Sequence, residues 1–153
     1  MVIAPDLARF IAGPVLTTLA TRDASNRPMI ARGSGGRVAK GSGQVEVAVS
    51  TRLWPETIAN VRDNGMFTVT FVDPATYRAF QLKGRAVVRD PDATEVARAW
   101  AFVAETERLM TNLGVPIDLT RYWLTAHDVM IVSLAVDRAF EQTPGPRAGV
   151  ALA

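Results

Sequence analysis

A chain of 153 residues with 48% hydrophobic and 21% charged side chains is long enough for one domain with a proper core, and too apolar for wholesale disorder. It has no cysteine, which excludes disulfides, thiolate metal sites and a cysteine nucleophile and fits a reducing cytoplasm. A net charge of +2 with singly spaced cations argues against nucleic-acid binding, and the lack of roughly 18 successive apolar residues argues against a transmembrane helix.

Pro5 opens a short helix with Leu7, Phe10 and Ile11 on one face, closed by Gly13-Pro14. Residues 15–22 are rich in β-branched side chains and read as a strand, 23–28 as a turn, and 29–38 as a strand that becomes glycine-rich. Another turn at 40–44 leads to the alternating strand 45–50. Pro55 then opens a helix with Ile58, Val61 and Thr57 inward, and Asn64-Gly65 supplies a left-handed stop.

Residues 66–72 read as a strand, 73–76 as a turn and 77–90 as a long strand, with Gly84 marking a bulge or a close approach. Asp90 to Asp92 cap a helix running to about Asn112, with Val96, Trp100, Val103, Met110 and Leu113 at core-facing spacing. A short helix at 119–124, a strand at 128–140 and a Pro/Gly-containing tail from Gln142 complete one domain, 1–153. Long antiparallel runs without alternating β-α units predict an α+β, mainly β fold: a six-stranded antiparallel split barrel with flanking helices.

Two stretches carry chemistry. The run Arg32-Gly33-Ser34-Gly35-Gly36 lies late in a strand, so it is neither a dinucleotide fingerprint nor a P-loop. Its glycines either let a flat ring lie against the backbone or form a flexible bulge. The corner from Ser50 to Thr57, with Thr51 and Arg52, puts hydroxyls, a guanidinium and free amides at a helix start. That set suits a phosphate or, more plainly, a helix cap.

Arg78 shares a strand face with Phe80 and Leu82, whereas Ala79, Gln81 and Lys83 share the other. The single imidazole, His127, reads as a loop histidine. No acid/base pair, metal-ligand spacing or nucleophile elbow emerges, so no catalytic residue is assigned and no metal is expected. Any chemistry has to come with a cofactor.

The order of parts resembles the pyridoxamine 5′-phosphate oxidase-like, FMN-binding split-barrel family. The features that carry this are VLTTLATRDASNRPMIAR, the strand VEVAVST, a helix ending RDNG, then MFTVTFVD and QLKGRAVV, over roughly residues 14–90. Phe140-Glu141-Gln142 stands where the family often has an F-W-Q-like segment.

The resemblance implies a homodimer with FMN at the interface. It places Arg32, Gly33, Ser34 and Gly35 against the ring and Ser50, Thr51, Arg52 and Thr57 around the phosphate. Arg78, Gln81 and Gln142 complete the implied cofactor set. The chain departs from the family in having Glu56-Thr57 where the oxidases carry an Arg-Lys pair, Ala79 where they carry a flavin-contacting glutamine, and Glu141 where a tryptophan is usual. It also lacks the C-terminal arginine-x-histidine element that grips the B6 vitamer, so the vitamin B6 enzyme itself is not expected.

The expectation is thus a cytoplasmic, dimeric, FMN-dependent oxidoreductase acting on a small molecule, without nucleic-acid or membrane partners. The alternatives are a deazaflavin-dependent reductase, a non-catalytic flavin- or haem-binding dimeric module, or a protein with no cofactor.

Overall fold

A computed structural model describes residues 2–39 and 43–152. The elements run α1 (Pro5–Ile11), β1 (Leu16–Arg22), β2 (Pro28–Gly33), β3 (Gly36–Val38), β4 (Gln44–Ser50), α2 (Pro55–Asn64), β5 (Met66–Val72), β6 (Ala79–Arg89), α3 (Ala93–Asn112), α4 (Ile117–Arg121) and β7 (Val129–Glu141). The turn expected at 40–44 falls in part on residues 40–42, outside the described residues.

The strands form one antiparallel sheet in the order β2-β1-β5-β6-β7-β4-β3. β2 and β3 are one strand interrupted at Ser34-Gly35. At that break the Ser34 amide donates to the Ala48 carbonyl at 2.7 Å, and the Ala48 amide to the Gly35 carbonyl at 3.1 Å. These bonds join the β2 end of the sheet to β4 and close it, so the expected six strands are present as seven segments.

The alternation of each strand decides which side chains fill the barrel. Leu19, Val47, Val69, Phe71, Leu82, Val132 and Leu134 are fully buried in one core that α1 and α2 also enter, through Leu7, Ile11, Ile58 and Val61. Gly65 ends α2 in the left-handed region (φ 67°), as expected for a residue without a Cβ.

A second, smaller core lies outside the barrel, where α3 and residues 124–126 cover the outer face of β4 and β7. Asp92 caps α3, and Glu95 returns the bond to the Asp92 amide, a reciprocal capping box.

The inner face of α3 keeps the expected Val103, buried, and Val96, packed on the second core, and differs elsewhere. Glu95, Ala99, Phe102, Val103 and Thr106 are buried, while Trp100 and Leu113 are exposed. The face also carries a buried, fully paired carboxylate. Glu95, only 2% exposed, is held by Arg89 at 2.6 Å and Arg37 at 3.0 Å, and both arginines also reach Glu46. A carboxylate so paired can be buried beneath the helix alongside the apolar residues.

The bulge expected at Gly84 is present, since the β6–β7 register shifts between Lys83 and Gly84. A Cβ on Gly84 would lie 2.0 Å from the Ala135 carbonyl oxygen. Residues 142–152 fold back on β7, where Ala151 bridges Phe140 and the Leu152 amide donates to Ala139 at 2.8 Å. Among the described residues no helix is long and apolar enough to cross a membrane.

Candidate functional site

The outer face of β1, β5 and β6 is left over once the helices have taken their places. Thr18, Ala20, Thr68, Thr70, Gln81 and Lys83 stay half-buried and belong to neither core. Strand register aligns them in rows. One row reads Arg32, Thr18, Thr70, Gln81, Phe140 across five strands. With strands about 4.8 Å apart, Arg32 and Gln81 stand on the order of 14 Å apart along a floor of threonines.

Arg32 is the unusual member. Its guanidinium is half-buried, and burial lowers its pKa. Nη1 donates to the Thr18 hydroxyl at 2.5 Å, and the group lies 5.4 Å from the centre of the Trp123 ring. No carboxylate pairs with it among the described residues. A cation desolvated without a counter-charge costs free energy that a bound anion recovers.

At the other end of the row the Gln81 amide donates to Thr70 at 3.2 Å. Gln81 and Gln142 line one hollow of about 270 Å³ with Thr70, Val72, Tyr77 and Ala79. Tyr77 borders it in a left-handed conformation, φ 60°, which a residue with a Cβ seldom adopts.

The remaining expected residues are placed elsewhere. On the side where a Cβ would point, Gly33 is backed by Val47 and Thr17 at 2.5 and 2.8 Å, and Gly35 by Phe102 at 3.0 Å. Their missing side chains therefore make room for the protein's own core. The Ser34 hydroxyl donates to the Thr125 carbonyl at 2.5 Å, Ser50 to the His127 carbonyl at 2.8 Å and Thr51 to the Asp128 carbonyl at 2.9 Å. These three hydroxyls share one partner, the loop that leads into β7.

The Thr57 hydroxyl is fully buried beneath α2 without a partner. Arg52 is exposed and free of ion pairs among the described residues. Arg78 is exposed too, stacked 5.2 and 5.1 Å from the Phe10 and Phe80 rings. His127 lies in an exposed loop with its ring edge-on to Trp100 at 4.7 Å, against α3.

The structure therefore brings Arg32 into line with Gln81 and sets Gln142 beside Gln81, while the hydroxyls of Ser34, Ser50 and Thr51 are tied to residues 125–128. Thr18, Thr70, Tyr77 and Trp123 join the site without having been singled out. The threonines had a signal, since they hold the outward positions of strands whose inward positions are apolar.

No family model matches the sequence, and no curated protein matches it. Solved structures do. HupZ from Group A Streptococcus aligns with TM-score 0.60 at 20% identity, over 97% of this chain and all of that one. A putative pyridoxamine 5′-phosphate oxidase from Lactobacillus delbrueckii aligns with TM-score 0.57 at 14% identity, over 90% and 93%. An F420 reductase aligns with TM-score 0.56 at 15% identity, over 90% and 98%.

At these identities the likeness is one of fold. The chain has the split-barrel fold of the pyridoxamine 5′-phosphate oxidase-like proteins.

Proposed function

We propose that the protein is an FMN-dependent oxidoreductase acting on a small molecule, and that it works as a homodimer. The observation that carries this reading is Arg32, a half-buried guanidinium without a carboxylate at the end of a half-exposed row. Threonine, alanine and glutamine side chains make a floor on which a planar ring can lie. A second copy of the chain, seated on the same face, would cover it.

The residues fit the group at the ring and partly at the phosphate. Arg32, with Thr18 and Trp123 fixing its plane, would hold and neutralise an electron-rich edge of the ring. Gln81 and Gln142 would bond a polar edge from their hollow. At the corner, the hydrogens of Ser50 and Thr51 are already given to loop carbonyls. A phosphate there would rely on Arg52 and the free amides at the start of α2.

FMN, when bound, supplies hydride transfer at its N5 position. The chain's part is to orient the ring, keep water from one face and stabilise negative charge through Arg32. No protein base is needed for that.

The test is titration of FMN into the purified protein, followed by flavin absorbance and fluorescence. Saturable binding, weakened about tenfold or more by Arg32→Ala and to a smaller degree by Arg52→Ala, is expected. Wild-type protein that leaves the flavin spectrum unchanged would refute the reading.

A further inference from the structure

The row next to the proposed flavin floor is strongly basic. It reads Ala20, Thr68, Lys83 and Arg138 in register, and Arg22 and Arg85 follow one step beyond. Arg22, Lys83, Arg85 and Arg138 line one cleft of about 310 Å³ with Met66 and Asp137.

Six arginines elsewhere in the chain are ion-paired: Arg9, Arg27, Arg37, Arg89, Arg108 and Arg121 all sit on carboxylates. Among the described residues none of the four cleft cations does. Arg22 and Arg85 are instead fixed by neutral acceptors, the Asp23 and Asn64 carbonyls at 3.0 and 2.6 Å.

The bulge brings Arg138 and Asp137 to the cleft together. Lys83 faces Arg138 and Gly84 faces Val136, which leaves Asp137 as the extra residue of β7. Asp137 and Arg138 consequently both point outward, between the buried Val136 and Ala139. In an unbroken strand one of the two would have pointed into the core. Gly84 is what permits it, because any Cβ there collides with the Ala135 carbonyl. The fold thus gives up ladder regularity at one place and gains a concave set of four cations around one carboxylate.

We infer that this cleft binds the phosphate or carboxylate group of a small anionic molecule. Lys83 lies two residues from Gln81 on the same strand face, about 7 Å along β6. A molecule anchored there has its body over the flavin floor, which makes it the substrate class of the proposed enzyme. That second step rests on the flavin reading, whereas anion binding itself does not.

The experiment is calorimetric titration of inorganic pyrophosphate into the full-length protein at low salt, without FMN and then with FMN saturating. Lys83→Gln, Arg138→Gln and, as a control on the outer side of α2, Arg62→Gln are measured in parallel. Lys83 is half-buried and Arg138 exposed, and unchanged circular-dichroism melts establish that each variant is folded.

The expected result is saturable binding of one pyrophosphate per chain. It falls roughly tenfold in each cleft variant, less than about twofold in Arg62→Gln, and persists with FMN bound. Absence of saturable binding, or equal loss in all three variants, overturns the site. Displacement of pyrophosphate by FMN assigns the cleft to the cofactor and overturns the substrate assignment. Cleft variants that change only the sedimentation behaviour assign the charges to a subunit interface and overturn both. Pyrophosphate binding by a protein that ignores FMN keeps the anion site and removes the flavin reading.

Discussion

Glu95 offers the sharpest energetic test of how this fold is held. The side chain is 2% exposed and accepts from Arg89 at 2.6 and 2.8 Å, from Arg37 at 3.0 Å and from the Asp92 amide at 2.9 Å. These donors, Arg89 first, lower its pKa from 4.5 to about 2. At roughly 1.4 kcal/mol per pH unit, the preference for the ionised form contributes about 3 kcal/mol of stability at neutral pH.

The folded pKa lies below the unfolded one. The contribution is therefore complete above about pH 4.5 and lost as pH falls through about 2. Glu95→Gln should then unfold about 3 kcal/mol more easily than wild type at pH 7, with the gap shrinking to about 1 kcal/mol at pH 2.5. Urea unfolding followed by tryptophan fluorescence, at one protein concentration and both pH values, measures the two gaps. An equal deficit at both would show that lost shape, not charge, is responsible, and would refute the argument.

Other substitutions probe separate links. Gly84→Ala pushes a methyl against the Ala135 carbonyl oxygen 2.0 Å away; it should cost at least about 2 kcal/mol in urea unfolding, and a neutral result would mean the bulge is not fixed by this contact. Leu134→Ala empties a fully buried position between the strands and should cost about 2–5 kcal/mol, measured the same way. His127→Ala should leave the response to added haem unchanged, because the ring rests edge-on against Trp100 of α3 in an exposed loop; a haem absorbance band lost in this variant alone would place a ligand at His127.

The fold was largely legible because its signals are local. Alternation in 45–50 and 66–72, Pro55 at a helix start and Gly65 at its end are each read from neighbouring residues, and each element lies where those signals put it. The inner face of α3 was only partly legible: Val96 and Val103 do face the second core, but the buried Glu95 pairs with Arg89, six residues before it at the end of β6, and with Arg37, 58 residues away on β3. A helical stripe of Val96, Trp100 and Met110 is as regular as the one the structure uses.

The same distinction governs the site. Hydroxyls at a helix start look alike in sequence whether they wait for a phosphate or hold a loop. Here Ser34, Ser50 and Thr51 all give their hydrogens to residues 125–128, 77 to 91 positions away along the chain. Arg32 reads the other way. Nothing beside it in sequence marks it as buried, yet β1 and Trp123 enclose it and no carboxylate follows. Arg32 is half-buried with only the Thr18 hydroxyl and the Trp123 ring beside it, while each arginine of the Glu46–Glu95 cluster meets two carboxylates. That contrast within one chain is why we propose Arg32, and not the arginines of the Glu46–Glu95 cluster, as the partner of a ligand's negative charge.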